Sequence, residues 1–136
     1  MALILVVDDD AGVRRSLERV LVSRGHQVLL AADGGEGLRT WRERGADLVL
    51  LDIHMPNTDG IEVLVQLRGK APRLPVIVIS GGDQTRHLDL LGDARLLGAS
   101  AVLSKPFTLD EIVGAVERAV APLGPSDGQE GGIGQA

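Results

Sequence analysis

The chain has 136 residues, 44% of them hydrophobic and 24% charged, with a formal net charge of −5, which suits one domain around a single core. The acidic balance argues against a nucleic-acid-binding surface, which would cluster Lys and Arg. The absence of cysteine excludes disulfides, thiolate metal sites and cysteine nucleophiles, and fits a reducing cytosol. No apolar run approaches the ~18 residues of a membrane span, and the opening from Met1 to Ile4 is too short and lacks the basic flank of a signal peptide. An aromatic content of 1%, Trp41 and Phe107, implies an aliphatic core and argues against a base-stacking surface.

Leu3-Ile4-Leu5-Val6-Val7 is a continuous apolar run, as expected of a strand buried on both faces of a parallel sheet. Asp8-Asp9-Asp10 ends it. Val13, Leu17, Val20 and Leu21 then fall on one helical face, with Asp10 as N-cap and Gly25 just past the C-terminus. Arg14, Arg15 and Arg19 fall off that face and read as solvated. Val28-Leu29-Leu30 reads as a strand, and Glu36 to Arg44 as a short helix with Leu38 and Trp41 pointing inward. Leu48-Val49-Leu50-Leu51 is a strand closed by Asp52. A loop from His54 to Gly60 leads to a helix carrying Ile61, Leu64 and Leu67, with Asp59 as a candidate cap. Val76-Ile77-Val78-Ile79 is a strand ending at Ser80-Gly81-Gly82. Residues near Gln84 to Leu97 form a less regular helix. Ala101-Val102-Leu103 is a strand that stops at Ser104-Lys105-Pro106, and Thr108 with Glu111 forms a capping box opening a last helix. His26 and His87 read as surface or loop residues. The stretch from Pro122 to Ala136, rich in glycine and proline, reads as a disordered tail or linker.

Five strands alternating with five helices predict an α/β fold: an open parallel sheet with helices on both faces. The polar residues share one place in that pattern. Asp8 and Asp9 follow the first strand, Asp52 closes the third, Ser80 follows the fourth and Lys105 the fifth. All stand at carboxyl ends, where the functional crevice of such sheets forms. Three carboxylates in one crevice repel each other unless one is protonated or a cation neutralises them. Oxygen ligands alone favour a hard cation such as Mg²⁺. A cation, the Lys105 ammonium and the Ser80 hydroxyl around one free carboxylate suit the acceptance of a phosphoryl group, whose charge is spread over three oxygens.

Leu3 through Asp10, Asp52-Ile53-His54-Met55-Pro56-Asn57-Thr58-Asp59-Gly60, Ser80-Gly81 and Ser104-Lys105-Pro106-Phe107, in this order and on these elements, resemble the receiver domain of two-component response regulators, in its chemotaxis-type single-domain form. The resemblance implies a flavodoxin-like five-stranded parallel sheet of order 2-1-3-4-5, with a receiver domain over residues 1–121 and the tail over 122–136. It implies that Asp52 is the phosphoacceptor, that Asp8, Asp9, Asp52 and the backbone carbonyl of His54 hold Mg²⁺, and that Ser80 and Lys105 contact the phosphoryl group. It also implies a cis Lys105-Pro106 bond. The donor would be a sensor histidine kinase or a phosphotransfer protein, and the signal would pass to an unknown downstream protein by a change of conformation. A cytoplasmic phosphoprotein is expected, with no contact to nucleic acid or membrane through this domain. It would not be an enzyme in the metabolic sense, since it would catalyse only its own phosphorylation and dephosphorylation. One departure stands out: the family's switch position on the fifth strand is usually Tyr or Phe, and here it is Val102. Two other readings fit part of the pattern. An aspartate-nucleophile, Mg²⁺-dependent phosphohydrolase would use Asp8 and Asp10, two places apart. A degenerate receiver would serve only as a dimerisation module.

Overall fold

The computed structural model describes residues 1–55, 58–80 and 98–121, with Thr58 and Asp59 defined by their backbone alone. The expected helix near Gln84 to Leu97, the Gly81-Gly82 turn, His87, the Pro56-Asn57 stretch and the tail from Pro122 lie outside the described residues, as does the side chain of Asp59.

Three apolar runs form the middle of the sheet. In β1 (Leu3–Val7) all but Leu3 are buried, and in β3 (Leu48–Asp52) and β6 (Val76–Ser80) every residue is. Strands with no wet face need partners on both edges and helices on both sides. β2 (Gln27–Ala31) pairs parallel with β1, β1 with β3, β3 with β6, and β6 with β7 (Ala101–Ser104). The sheet order is β2-β1-β3-β6-β7. Counting only these five strands in chain order, that is the expected 2-1-3-4-5. The extra labels come from a feature the sequence did not predict: His54–Met55 (β4) pairs antiparallel with Thr58–Asp59 (β5) inside the stretch read as a plain loop.

Side chains alternate across the sheet, so each strand feeds two cores. Leu5, Val7, Val49, Leu51, Val76 and Val78 pack on one face with Leu38 of α2 (Gly34–Arg44) and Val63, Leu64 and Leu67 of α3 (Gly60–Lys70). Ile4, Val6, Leu48, Leu50, Ile77 and Ile79 pack on the other with Leu17 and Leu21 of α1 (Ala11–Ser23) and Ile112 and Val116 of α4 (Leu109–Val120). In α3 the buried set includes Val63, whereas Ile61 is only half-buried. Among the described residues no helix is long and apolar enough to cross a membrane.

The helix ends follow local chemistry. Asp10 caps α1 by accepting hydrogen bonds from the backbone N–H of Gly12 at 2.8 Å and of Val13 at 3.2 Å. Gly25, just beyond its end, takes the left-handed φ of 90° that glycine tolerates. Helix α2 starts two residues before the expected Glu36, because Asp33 caps it and Glu36 reaches back to accept from the N–H of Ala32 at 2.7 Å. His26 is half-buried in the connection to β2, where its Nδ1 accepts from the N–H of Ala2 at 3.1 Å. The capping box of α4 is complete: Thr108 Oγ1 accepts from Glu111 N at 3.1 Å, and Glu111 Oε1 from Thr108 N at 2.8 Å. Replacing Thr108 with Ala should therefore lower stability by about 1 kcal/mol, read as a lower urea midpoint with an unchanged slope.

Candidate functional site

The register of the sheet brings the carboxyl ends of its strands to one lip. Asp52 lies level with Ile79, and Ser80 with Ser104. The ladder continues past the strands: Asp8 N donates to Ala31 O at 3.1 Å, Ile53 N to Ile79 O at 3.0 Å, and Lys105 N to Ser80 O at 2.7 Å. Polar side chains far apart in sequence therefore leave the sheet side by side.

Asp8, Asp52 and Ser80 are the buried polar residues among the described core, whereas Asp9 is exposed. Asp8, Asp9 and Asp52 each present one carboxylate oxygen within 4.8 Å of the others. Lys105 Nζ lies 3.2 Å from Asp52 Oδ2 and 3.3 Å from Asp8 Oδ2, so one ammonium faces two carboxylates rather than Asp52 alone. Asp52 Oδ1 accepts from the N–H of His54 at 2.8 Å. Asp8 Oδ1 accepts from the N–H of Asp10 at 2.9 Å, which gives Asp8 a local structural role beside its place in the cluster. The Lys105–Pro106 peptide is cis.

Burial raises the pKa of Asp52 above the ordinary carboxylate value, the His54 N–H opposes this, and the neighbouring Asp8 charge adds to the rise. Burial alone would lower Lys105, but the charges of Asp52 and Asp8 outweigh it and hold the ammonium above its usual value. Both shifts are upward, so the carboxyl is disfavoured as an anion and the ammonium favoured as a cation, a perturbed pair of the kind that clusters at functional sites. Asp10 is different. It is fully exposed, and the N–H groups of Val13 and Gly12 hold its carboxyl below the usual range. Asp10 is thus engaged as the cap of α1, the second of the two positions on which the phosphohydrolase reading relied.

The donor set fits a hard divalent cation. It is all oxygen, it clusters three carboxylates, and Asp8 Oδ2 is buried without a hydrogen bond, its charge met only by ion pairing to Lys105 among the described residues.

Two contacts were not legible in the sequence. Arg14 is not merely part of a solvated face, because its Nη1 donates to the backbone carbonyl of Asp8 at 2.6 Å. The ring Nε2 of His54 lies 3.1 Å from Ser80 Oγ, joining residues 26 apart in the chain. Val102 is half-buried and packs against the core shared with α2 and α3.

Residues 4–117 match the family model of the response regulator receiver domain. Response regulator MprA of Mycobacterium tuberculosis is 40% identical over 127 residues, covering 93% of this chain and 54% of that protein. The chain thus spans about half the length of the curated relatives it matches. Among solved structures, a response regulator receiver domain protein of Clostridium thermocellum superposes with a TM-score of 0.82 at 30% identity, over 90% of this chain and 97% of the other. A CheY-like receiver domain protein of Methanospirillum hungatei superposes with a TM-score of 0.83 at 27% identity, over 90% of this chain and 95% of the other. The acidic cluster with its lysine at the carboxyl lip, the sheet order and these likenesses agree, and the chain belongs to the receiver domain family of two-component response regulators.

Proposed function

We propose that Asp52 accepts a phosphoryl group from a phosphohistidine of a sensor histidine kinase or phosphotransfer protein, and that the loaded receiver signals to a downstream protein through a change of conformation. The observation that carries this reading is the buried Asp52 carboxylate, 3.2 Å from the Lys105 ammonium and within 4.8 Å of two further carboxylates. The receiver occupies residues 1–121. An Asp52 oxygen forms the new O–P bond as the N–P bond of the donor breaks, and the electron pair of that bond stays with the departing imidazole. Lys105 would move from pairing two carboxylates to pairing a phosphoryl oxygen, and Ser80 would donate its hydroxyl proton to another. Asp8, Asp9, Asp52 and the His54 carbonyl would hold Mg²⁺, which when bound supplies positive charge against the carboxylates and the phosphoryl oxygens. Water later cleaves the acyl phosphate, so the chain modifies itself once per cycle.

Intact-mass spectrometry after incubation with acetyl phosphate and Mg²⁺ should find one adduct of about 80 Da, the mass of one added phosphoryl group. Absence of an adduct with several small phosphodonors would overturn the reading. Mg²⁺ alone should raise the melting midpoint with concentration, since it binds the folded chain; an unchanged midpoint at millimolar Mg²⁺ would count against the metal assignment.

A further inference from the structure

Asp8 is fastened on three sides. Its N–H donates to Ala31 O at 3.1 Å, its Oδ1 accepts from the N–H of Asp10 at 2.9 Å, and its carbonyl accepts from Arg14 Nη1 at 2.6 Å. The β1–β2 register ends at Val7 and Ala31, so this carbonyl stands one residue past the last paired position, and Arg14 supplies its donor. Arg14 is half-buried in the first turn of α1, and its side chain turns back to the strand end from which that helix springs. Asp9 is held differently. It is exposed, and among the described residues no hydrogen bond or ion pair fixes its carboxylate, although one of its oxygens lies within 4.8 Å of those of Asp8 and Asp52. Its direction therefore comes from the backbone on either side. Asp10 caps α1 on one side, and the Asp8–Asp9 peptide stands on the other. A peptide unit is rigid and planar, so a held Asp8 oxygen also fixes the nitrogen and Cα of Asp9.

We infer that Arg14 is a positioning residue for Mg²⁺: by holding the Asp8 carbonyl it sets the plane of the Asp8–Asp9 peptide and so aims the Asp9 carboxylate into the cluster; the inference rests on the metal assignment proposed above. Arg14 then acts on a bound cation in two opposite ways. Its charge repels the cation, and its hydrogen bond organises a ligand. The guanidinium is half-exposed, so water and salt screen the repulsion. Mg²⁺ demands near-ideal octahedral geometry at short distances, so a misaimed ligand is costly. The organising effect wins for Mg²⁺. Ca²⁺ carries the same charge but accepts longer bonds and irregular coordination, so it loses less when Asp9 is misaimed. The contact is one N–H to one carbonyl, with no fork to match, so lysine can replace arginine here.

The test titrates the full chain with MgCl₂ alone and with CaCl₂ alone, following backbone amide shifts by NMR, which reads both affinities and shows that the fold is intact. Arg14→Met, which keeps a long helix-favouring side chain, should weaken Mg²⁺ binding about tenfold, the loss typical when a residue that orients a metal ligand is removed. Ca²⁺ binding should weaken less than about threefold. Arg14→Lys should bring Mg²⁺ affinity back to within about threefold of the wild type. Arg15→Met removes the same charge from an exposed neighbour and should leave the preference between the two cations unchanged. Tighter binding of both cations by Arg14→Met would mean that the charge dominates. Equal weakening of both would mean that the whole lip is disturbed, and no change would mean that Asp9 needs no such support. Each of these overturns the role of Arg14 alone, whereas a wild-type chain that binds neither cation overturns the metal assignment with it.

Discussion

Replacing Asp52 with Asn should stabilise the folded chain at neutral pH while abolishing the phosphoryl adduct. The carboxylate is buried against Asp8, and its pKa is raised, first by burial and then by that like charge. A raised folded value means that the folded state favours the protonated group. The favourable contribution is therefore fully present below the ordinary carboxylate value of about 3.9, and it is lost as pH rises through the raised one. An ionised Asp52 is a group that the fold disfavours. Asparagine never ionises, still offers an oxygen to the His54 N–H, and leaves Lys105 paired with Asp8. A gain of about 1–2 kcal/mol at pH 7 is expected, typical of relieving a site tuned for function, or roughly 3–8 °C in melting midpoint. The gap between the two chains should shrink as pH falls through the raised value toward the ordinary one. Mg²⁺ should also narrow it by stabilising the wild type more. Melting curves of both chains from pH 7 to pH 4, without metal, check this. A gap that does not change with pH would mean that the substitution acts through packing, and a loss of stability at every pH would mean that the carboxylate holds the lip together.

The sheet and the acidic cluster were legible because both follow from short-range rules. Leu3–Val7, Leu48–Leu51 and Val76–Ile79 are too apolar to be edge strands, and a parallel sheet delivers whatever follows its strands to one lip. Asp8, Asp9, Asp52, Ser80 and Lys105 could thus be placed together without knowing a single distance. What stayed hidden depends on register or on reach. His54 and Ser80 meet only because β3 and β6 pair so that Asp52 lies level with Ile79. The β4–β5 ribbon spans two residues on each side, too few to show a period. Arg14 has the reach to bond the Asp8 carbonyl, and no spacing rule says which way so long a side chain turns. In α3 the apolar positions Ile61, Val63, Leu64, Val65 and Leu67 surround most of the helix, so the pattern alone leaves its inward face ambiguous, and Ile61 was expected where Val63 is buried.

Two glycines of that same helix should respond to alanine in opposite directions. Propensity alone favours alanine at both, by up to about 1 kcal/mol inside a helix. At Gly69 a Cβ would meet nothing within 4 Å, and the residue is exposed. Gly69→Ala near the helix end should therefore raise stability by about 0.5 kcal/mol, mostly by restricting the unfolded chain. At Gly60 the same methyl group would lie 2.3 Å from Ile53 Cα and 2.8 Å from Ile53 Cβ. The first of these is backbone and cannot swing aside as the tip of a side chain would. Either α3 moves off the sheet or the chain at Ile53 is displaced, and overpacking of this kind outweighs the gain in propensity. Gly60→Ala should lose about 3 kcal/mol. Ile53 stands between Asp52 and His54, so the same displacement disturbs the Asp52–His54 hydrogen bond and should slow phosphorylation by acetyl phosphate even where the variant remains folded. Urea denaturation of both variants, with adduct formation timed by mass spectrometry below the unfolding transition, separates the effects. A Gly60→Ala chain as stable as Gly69→Ala would show that α3 does not need its close approach to the end of β3, and that the acceptor loop is set by its own hydrogen bonds instead.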